Sequence, residues 1–225
     1  MHDFLASFRR TAAIALVADA MLSVVSVVLQ PTLPSSEAAR LATIGDGPGP
    51  AISAAAFVVS QLPFLIGVLG VAWLAGERTP RLARTGAALA VVGGFGHTVF
   101  GGVMLSEVVL AHDSSHRSAL AAAFTELQGT PVMIFALLGL LGTVVGLLLL
   151  SIALFRSRTL PVWVPSLIWA FLVLEFVGSG VSRYASYLAV VLLIAAFGAL
   201  ARALWPASEV YDAVPAGVGQ LTRER

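Results

Sequence analysis

The chain has 225 residues, of which 58% are hydrophobic and 11% are charged, and its formal net charge is +1. Soluble domains carry roughly 25% charged residues, so the composition excludes an ordinary soluble domain and predicts an integral membrane protein. The near-neutral charge gives no sign of a nucleic-acid partner. The chain has no cysteine, and all 13 basic residues are arginine. Disulfides, thiolate catalysis, cysteine-ligated metals and lysine Schiff bases are therefore excluded.

The first apolar segment follows Arg9 and Arg10, as the apolar part of a signal peptide does. Its length of about 19 residues, the acid Asp19 inside it and the lack of a small-x-small cleavage site before Pro31 favour a retained span. A membrane-spanning helix needs about 20 largely apolar residues. Six segments qualify, namely Thr11–Gln30, Ala51–Ala75, Thr85–Ala111, Pro131–Phe155, Pro161–Gly180 and Tyr184–Leu204. The prediction is an all-α, polytopic membrane protein with one six-helix bundle over residues 1–205 and a flexible cytoplasmic tail over residues 206–225.

The arginines predict how the bundle is oriented. With both termini in the cytoplasm, ten arginines lie on the inner side and three on the outer side, which is a positive-inside distribution. The inner set is Arg9, Arg10, Arg78, Arg81, Arg84, Arg156, Arg158, Arg202, Arg223 and Arg225, and the outer set is Arg40, Arg117 and Arg183. We therefore expect a multi-pass protein of the inner (cytoplasmic) membrane.

Two further patterns concern the helices themselves. Arg-Thr pairs precede the three outward-running spans, and the threonines Thr11, Thr85 and Thr159 are predicted to cap them. Small residues recur every four positions along the third span and predict a ridge for a neighbouring helix; they are Gly86, Ala90, Gly94, Thr98, Gly102 and Ser106. The two longest connections face outward, and each is predicted to contain a short surface helix, at Ser35–Thr43 and Ser115–Gln128.

Four ionisable residues fall within predicted spans. An ionisable side chain in a membrane costs roughly 2.5–3.5 kcal/mol and by default marks a site facing the bundle interior. From a rise of about 1.5 Å per residue, Asp19 lies about 12 Å, His97 about 18 Å and Glu175 up to about 24 Å from the inner end of its span. Glu107 lies near the outer end of the third span. If the odd-numbered spans are neighbours, these groups line one cavity, which Gln61 joins.

Each of these residues also has a structural alternative. Asp19 can hydrogen-bond a neighbouring helix, Glu107 can reach interfacial water, and Glu175 can pair with Arg183 on the outer turn. His97 can be a hydrogen-bonded structural residue. His112 and His116 are spaced like metal ligands on a helix but lie in a loop, so the sequence predicts neither a metal nor a cofactor.

An acid removed from water favours its neutral form and can then donate a proton. Phe171 lies one helical turn before Glu175, and aromatic faces stabilise cations in desolvated sites. Trp169, Phe176 and Phe100 are the further aromatic candidates for binding an apolar substrate. The alternative is that aromatic residues at span ends form the usual interfacial belt.

The stretch Gly139–Glu175 joins a glycine-rich helix, an Arg-Ser-x-x-Leu-Pro turn at Arg156–Pro161 and a second apolar helix. It resembles the fourth-to-fifth helix region of uncharacterised six-helix bacterial membrane proteins. In size, number of spans and isolated intramembrane acids, the chain is also similar to the small integral-membrane terpene cyclases. That resemblance implies acid-initiated chemistry on an isoprenoid.

Three functions are open at this point. The first is a metal-independent enzyme that cyclises or isomerises an isoprenoid, with Glu175 or Asp19 as the acid and Glu107 or His97 as the base or orienting partner. The second is a small proton-coupled transporter or lipid-binding protein. The third is an accessory membrane subunit whose acids only bridge helices. The expected partners are an apolar small molecule and membrane lipid, and the oligomeric state is left open.

Overall fold

The computed structural model describes residues 2–127 and 129–205, and within these ranges the regular structure is entirely helical. The α-helices are α1 (His2–Leu29), α2 (Glu37–Ile44), α3 (Gly49–Gly76), α4 (Pro80–Ala111), α5 (Arg117–Leu127), α6 (Met133–Ser157), α7 (Trp163–Phe176) and α8 (Arg183–Leu204). A 3₁₀ turn over Gly178–Gly180 lies between α7 and α8. The predicted tail over residues 206–225 lies outside the described residues.

Six helices are long and apolar enough to cross a membrane: α1, α3, α4, α6, α8, and α7 together with its 3₁₀ turn. Their outward surfaces carry many exposed large apolar side chains, such as Ile14, Leu62, Phe95, Leu141 and Val191. An apolar surface of this extent is rare on a soluble monomer. The helices therefore indicate a multi-pass membrane protein built as a helix bundle.

The six long helices form a closed ring in chain order. α1 packs on α3, α3 on α4, α4 on α6, α6 on α7 and α7 on α8, and α8 returns to α1. Elements that follow one another in the chain usually lie next to each other in space, and the long helices follow this rule. As a result α1, α4 and α7 alternate around the ring and share no extensive interface, so the assumption that odd-numbered spans are neighbours was wrong. All three nevertheless border the same interior.

Two of the long helices begin well before their apolar runs. α1 begins at His2 and α4 at Pro80, so Thr11 and Thr85 lie inside helices, and Val162 is the N-cap of α7. The prediction that Thr11, Thr85 and Thr159 cap helices was therefore wrong. The Thr11 hydroxyl instead donates to the Ser7 carbonyl. The extra turns carry arginines, whose long side chains let a helix continue past the apolar layer.

The two ends of the bundle differ. At one end, here called the capped end, α2 and α5 pack on each other and α2 packs on α4, around Leu41, Ile44, Val108 and Ala121. These two short helices match the predicted surface helices, although Gln128 lies outside the described residues. The opposite, arginine-rich end is tied together by side-chain hydrogen bonds. Arg9 donates to the Leu204 carbonyl at 3.0 Å and Arg78 to the Ser157 carbonyl at 2.7 Å.

The closest helix contact is between α4 and α6. A Cβ added to Gly93 would lie 2.3 Å from the Thr143 nitrogen, and one added to Gly146 would lie 2.4 Å from the Ala90 nitrogen. The predicted ridge is only partly correct. A four-residue repeat drifts by about 40° per step on a helix of 3.6 residues per turn, so Gly94 faces α3 and Gly102 faces open space, while Gly93 faces α6.

Candidate functional site

The ring of helices surrounds a partly open cavity of about 190 Å³ to which all six long helices contribute. It includes six of the nine candidate site residues of the sequence analysis. Its lining consists of Asp19, Ser23, Ser26 and Val27 from α1; Phe57, Ser60, Gln61 and Phe64 from α3; His97 from α4; Thr143 and Leu147 from α6; Phe171, Glu175 and Phe176 from α7; and Val190, Leu193 and Phe197 from α8.

Helical periodicity explains why these side chains share the interior. Positions three or four apart lie on one helix face, and the lining residues follow that spacing. Asp19, Ser23 and Ser26 form such a row on α1, and Phe57 and Gln61 belong to a second row on α3. The interior faces of α1 and α3 thus differ chemically from their apolar exteriors.

The cavity has a polar wall and an apolar wall. α1, α3, α4 and α6 contribute all of its hydroxyl, amide and imidazole groups, together with the carboxyl group of Asp19. α7 and α8 contribute aromatic and aliphatic side chains, with Glu175 as their one polar group in the lining. No arginine of the described residues lines the cavity. Such an arrangement suits a small molecule with an apolar body and one polar end.

Asp19 is the most deeply buried acid of the cavity. It is 4% exposed, and among the described residues no donor lies within hydrogen-bonding distance of its carboxyl group. Most buried side-chain polar atoms have a hydrogen-bond partner. Asp19 therefore does not bridge two helices in this structure, and its carboxyl group is available to whatever occupies the cavity.

Glu175 lies in the last turn of α7, where the helix ends. Its Oε2 atom is buried and has no hydrogen-bond partner in the described structure, while the Ser179 hydroxyl donates to its backbone carbonyl. The alternative of a Glu175–Arg183 pair was wrong. The Arg183 guanidinium donates to the Gln30 carbonyl at 2.8 Å and to the Thr32 hydroxyl at 2.9 Å.

His97 lies on the polar wall, in contact with α6. Its Nδ1 atom is 3.4 Å from the Thr143 hydroxyl, and its ring centroid is 5.6 Å from that of Phe57. A Cβ added to Gly139 would lie 2.4 Å from the imidazole, so this glycine makes room for the ring. The amide of Gln61 donates to the Phe57 carbonyl at 2.9 Å, which fixes its orientation beside the cavity.

Three candidate residues are not part of the cavity lining. Glu107 is buried at the capped end, where its carboxylate lies 2.8 Å from Nη2 of Arg40 on α2. Glu107, which was predicted as a base or orienting partner, with contact to interfacial water as the alternative, is therefore in an ion pair. Trp169 is on the outside of the ring, where its indole N–H donates to Ser151 at 2.5 Å and its ring stacks on Phe155. Phe100 is half-buried outside the lining.

The described residues contain no group of three or more side chains that could hold a metal ion. Nδ1 of His112 is 2.9 Å from the Val108 carbonyl, and that of His116 is 2.8 Å from Asp113. Hydrogen bonds from Ser115 and His116 hold the pKa of Asp113 below its usual range. These groups organise the turn that precedes α5.

Several lining residues were not predicted, namely Ser23, Ser26, Phe57, Phe64, Ser60, Thr143 and Phe197. A signal for some of them is present in the sequence. Ser23 and Ser26 continue the helical face of Asp19, and Phe57 lies one turn from Gln61. Thr143 carries no such signal, because it meets His97 only through the packing of α6 on α4.

No family model, curated protein or solved structure matches the chain.

Proposed function

We propose that the chain is an integral membrane enzyme that isomerises or cyclises a small lipid-soluble isoprenoid by acid–base catalysis. In this proposal the six long helices cross the inner membrane of a bacterium and both termini are cytoplasmic. The orientation is supported by the ten-to-three distribution of arginines in the sequence, which follows the positive-inside rule.

The observation that carries the proposal is the state of the two acids. Asp19 and Glu175 come from different helices and line one cavity. Asp19 is 4% exposed and has no hydrogen-bond partner among the described residues, and the buried Oε2 atom of Glu175 has none there either. Intramembrane acids that only hold a bundle together pair with other protein groups. Glu107, which pairs with Arg40, fits that structural role. Asp19 and Glu175 do not, which favours a catalytic or binding role over an accessory subunit.

The size of the cavity restricts the substrate. A protein cavity of about 150 Å³ takes one benzene molecule, and this one measures about 190 Å³. A substrate of roughly one or two five-carbon units fits within that volume, whereas a long polyprenyl chain would have to extend outside it. The polar wall favours an isoprenoid that carries a hydroxyl group.

The proposed reaction moves protons and changes no oxidation state. Neutral Asp19 donates its proton to one carbon of a double bond, whose π electrons form the new C–H bond and leave a carbocation on the other carbon. The faces of Phe57, Phe171 and Phe176 stabilise this cation. In an isomerisation, Glu175 or His97 accepts a proton from a carbon next to the cation, and the C–H electrons form a new double bond.

In a cyclisation, the π electrons of a second double bond attack the cation first and form a carbon–carbon bond. The same base then removes a proton from a carbon next to the new cation. Solvent returns one proton to Asp19 and takes one from the base, so each turnover is balanced.

Deuterium incorporation tests this chemistry directly. The purified protein is incubated in D₂O with the olefin myrcene and the allylic alcohol geraniol, and the recovered molecules are analysed by gas chromatography and mass spectrometry. Reversible protonation of a double bond places deuterium on carbon even when no net product accumulates. We expect incorporation by the wild type and a loss of at least a hundredfold in Asp19→Asn, because general acid catalysis typically contributes 10²–10⁴-fold.

Glu77→Gln is the matched control, because Glu77 is an exposed acid at the arginine-rich end, away from the cavity. It should retain full exchange. Retention of exchange in both Asp19→Asn and Glu175→Gln would overturn the acid–base assignment. Binding of the probes without any exchange by the wild type would overturn catalysis of this substrate class and leave a binding function.

A second function is favoured by the charge of the lining. A cavity with two acids, aromatic walls and no arginine also suits an organic cation that exchanges for protons. Uptake of a tetraalkylammonium probe into proteoliposomes, driven by a pH gradient and lost in Glu175→Gln, would support that transporter and count against the enzyme.

A further inference from the structure

A second concave surface lies on the outside of the ring, between α7 and α8 at the arginine-rich end. It has a volume of about 560 Å³ and is here called the α7–α8 groove. Leu160, Pro161, Trp163 and Val164 form one wall, and Ala195, Gly198, Ala199, Arg202 and Ala203 form the other. It is separate from the cavity, because Leu193 and Phe197 of α8 face inward while Ala195 and Gly198 are exposed.

We propose that the α7–α8 groove binds an anionic phospholipid of the cytoplasmic leaflet, with the phosphate on Arg202 and one acyl chain along α8. This inference rests on the membrane orientation in the proposed function but not on the acid–base chemistry of the cavity. It concerns a lipid that stays bound to the protein surface, not a substrate.

The charge of the groove favours an anion. Arg202 is exposed, and no hydrogen bond or ion pair engages it among the described residues. Arg9 and Arg78, at the same end, instead donate hydrogen bonds to backbone carbonyls. Basic pockets between transmembrane helices on the cytoplasmic side bind anionic head groups, and arginine matches the geometry of a phosphate.

The shape of the groove favours a lipid. Arg202 lies two residues before the end of α8, at the level where a head group would sit. Ala199, Gly198 and Ala195 follow toward the middle of the helix, over about 10 Å at a rise of 1.5 Å per residue. Their small side chains leave room for an acyl chain against the helix backbone. Trp163, which is 53% exposed on the facing wall, is of the type that locates at membrane interfaces.

A helix of a second copy is the competing occupant, since small residues also line helix–helix contacts. In a two-fold symmetric dimer whose two copies have the same orientation in the membrane, the same surface patch of each copy contacts the other. The two Arg202 side chains would then come together at one depth with no acid in the groove to offset their charge. This repulsion favours the lipid.

Native mass spectrometry of the full chain tests the proposal, with phosphatidylglycerol and phosphatidylcholine of identical acyl chains titrated in equal amounts. We expect one lipid retained with a preference for phosphatidylglycerol of about fivefold, from the attraction of one near-surface arginine. Arg202→Gln should abolish the preference. Gly198→Leu should reduce retention of both lipids, because a Cβ at Gly198 meets nothing within 4 Å and the larger side chain fills the groove without a backbone clash.

Arg156→Gln is the charge-matched control, since Arg156 is exposed in the last turn of α6, outside the groove. It should keep the preference, as should Asp19→Asn, which alters only the cavity. Equal retention of the two lipids, or a preference that survives Arg202→Gln, would overturn the site. A dimer that Gly198→Leu dissociates would assign the groove to a second copy and overturn it as well. Failure of the deuterium experiment leaves these readouts unaffected.

Discussion

The contact between α4 and α6 predicts opposite effects for the same substitution at two positions of one helix. In Gly93→Ala the new methyl carbon would lie 2.3 Å from the Thr143 nitrogen and 2.7 Å from the Gly142 carbonyl carbon. Both atoms belong to the backbone of α6, so no side chain can rotate away. Ordinary contact begins at 3.4 Å, and the helices must therefore separate by about 1 Å. Overpacking of this kind costs about 1–3 kcal/mol, and the backbone contact places the cost near the upper end.

Gly102→Ala is the matched control, because the new methyl group meets nothing within 4 Å. Alanine is a better helix former than glycine by about 0.5–1 kcal/mol, so this variant should be slightly stabilised. Gly93→Ala has the same gain in helix propensity, which offsets part of the cost of overpacking. Its unfolding free energy should therefore fall by about 2 kcal/mol, or its melting temperature by roughly 4–8 °C for a chain of this size.

Thermal unfolding in a mild detergent, followed by tryptophan fluorescence, measures both variants under identical conditions. The chain has four tryptophans and neither substitution removes one. A Gly93→Ala protein as stable as Gly102→Ala would refute the close backbone contact, and with it the helix arrangement that places Thr143 beside His97.

Three further outcomes are expected. Glu107→Gln removes the negative charge that pairs with Arg40 at 2.8 Å, and the weaker contact should release α2 from α4 with a loss of about 1–3 kcal/mol. Hydrogen exchange in α2 should then be faster, and unchanged exchange there would contradict the role of the pair. The pKa of Asp113 is lowered on folding, so the stabilisation that its carboxylate gives to the turn before α5 should be complete above the usual aspartate pKa of about 3.9. It should be lost only as the pH falls through the lower folded value. Asp113→Asn should loosen the turn at neutral pH, and loosening of the wild-type turn already at pH 5 would argue against this. Because the chain has no cysteine, Glu77→Cys and Asp46→Cys can be introduced directly, and an impermeant maleimide should label only Asp46→Cys in intact cells; labelling of only Glu77→Cys would invert the proposed orientation.

Much of the architecture was predictable because one strong physical signal dominates it. A membrane requires long apolar helices with internally satisfied backbone groups, so hydropathy alone located all six. The helix ends were less predictable. Arg10 and Arg84 interrupt the apolar runs but lie inside α1 and α4, because a helix continues wherever its backbone bonds can form, and hydropathy does not measure that.

The sequence predicted part of the candidate site but not the direction of every side chain. Counting residues along each span predicted Asp19 and His97 in the interior of the bundle, and the structure places both in the lining of one cavity. The same counting could not show that Glu107 meets Arg40, because that partner lies on α2, in the connection between α1 and α3. Which way a side chain points depends on helix packing, and the four-residue spacing of small residues gave a misleading direction for Gly94 and Gly102.

The position of Trp169 leads to a final prediction, about how a substrate would reach the cavity. α4 and α6 are in backbone contact, whereas α6 and α7 share the sparsest interface between neighbours in the ring. α7 has only 14 residues, or about 21 Å of helix against a hydrocarbon layer of about 30 Å. A lipid-soluble molecule would therefore enter most easily between α6 and α7. There the indole N–H of Trp169 donates to Ser151 and joins the two helices.

Trp169→Phe keeps an aromatic ring to stack on Phe155 but removes the N–H group. The contact between α6 and α7 therefore loses a hydrogen bond worth about 1 kcal/mol. For the deuterium exchange reaction in nanodiscs, we expect kcat/KM to rise by up to about fivefold while kcat is unchanged, because entry becomes easier and the catalytic groups stay in place. Ser151→Ala should behave in the same way, since it removes the acceptor of the same bond. A fall in kcat would contradict this role, because it would mean that Trp169 acts on bound substrate, as the sequence alone had suggested. Equal rates in all three proteins would place the entrance elsewhere in the ring.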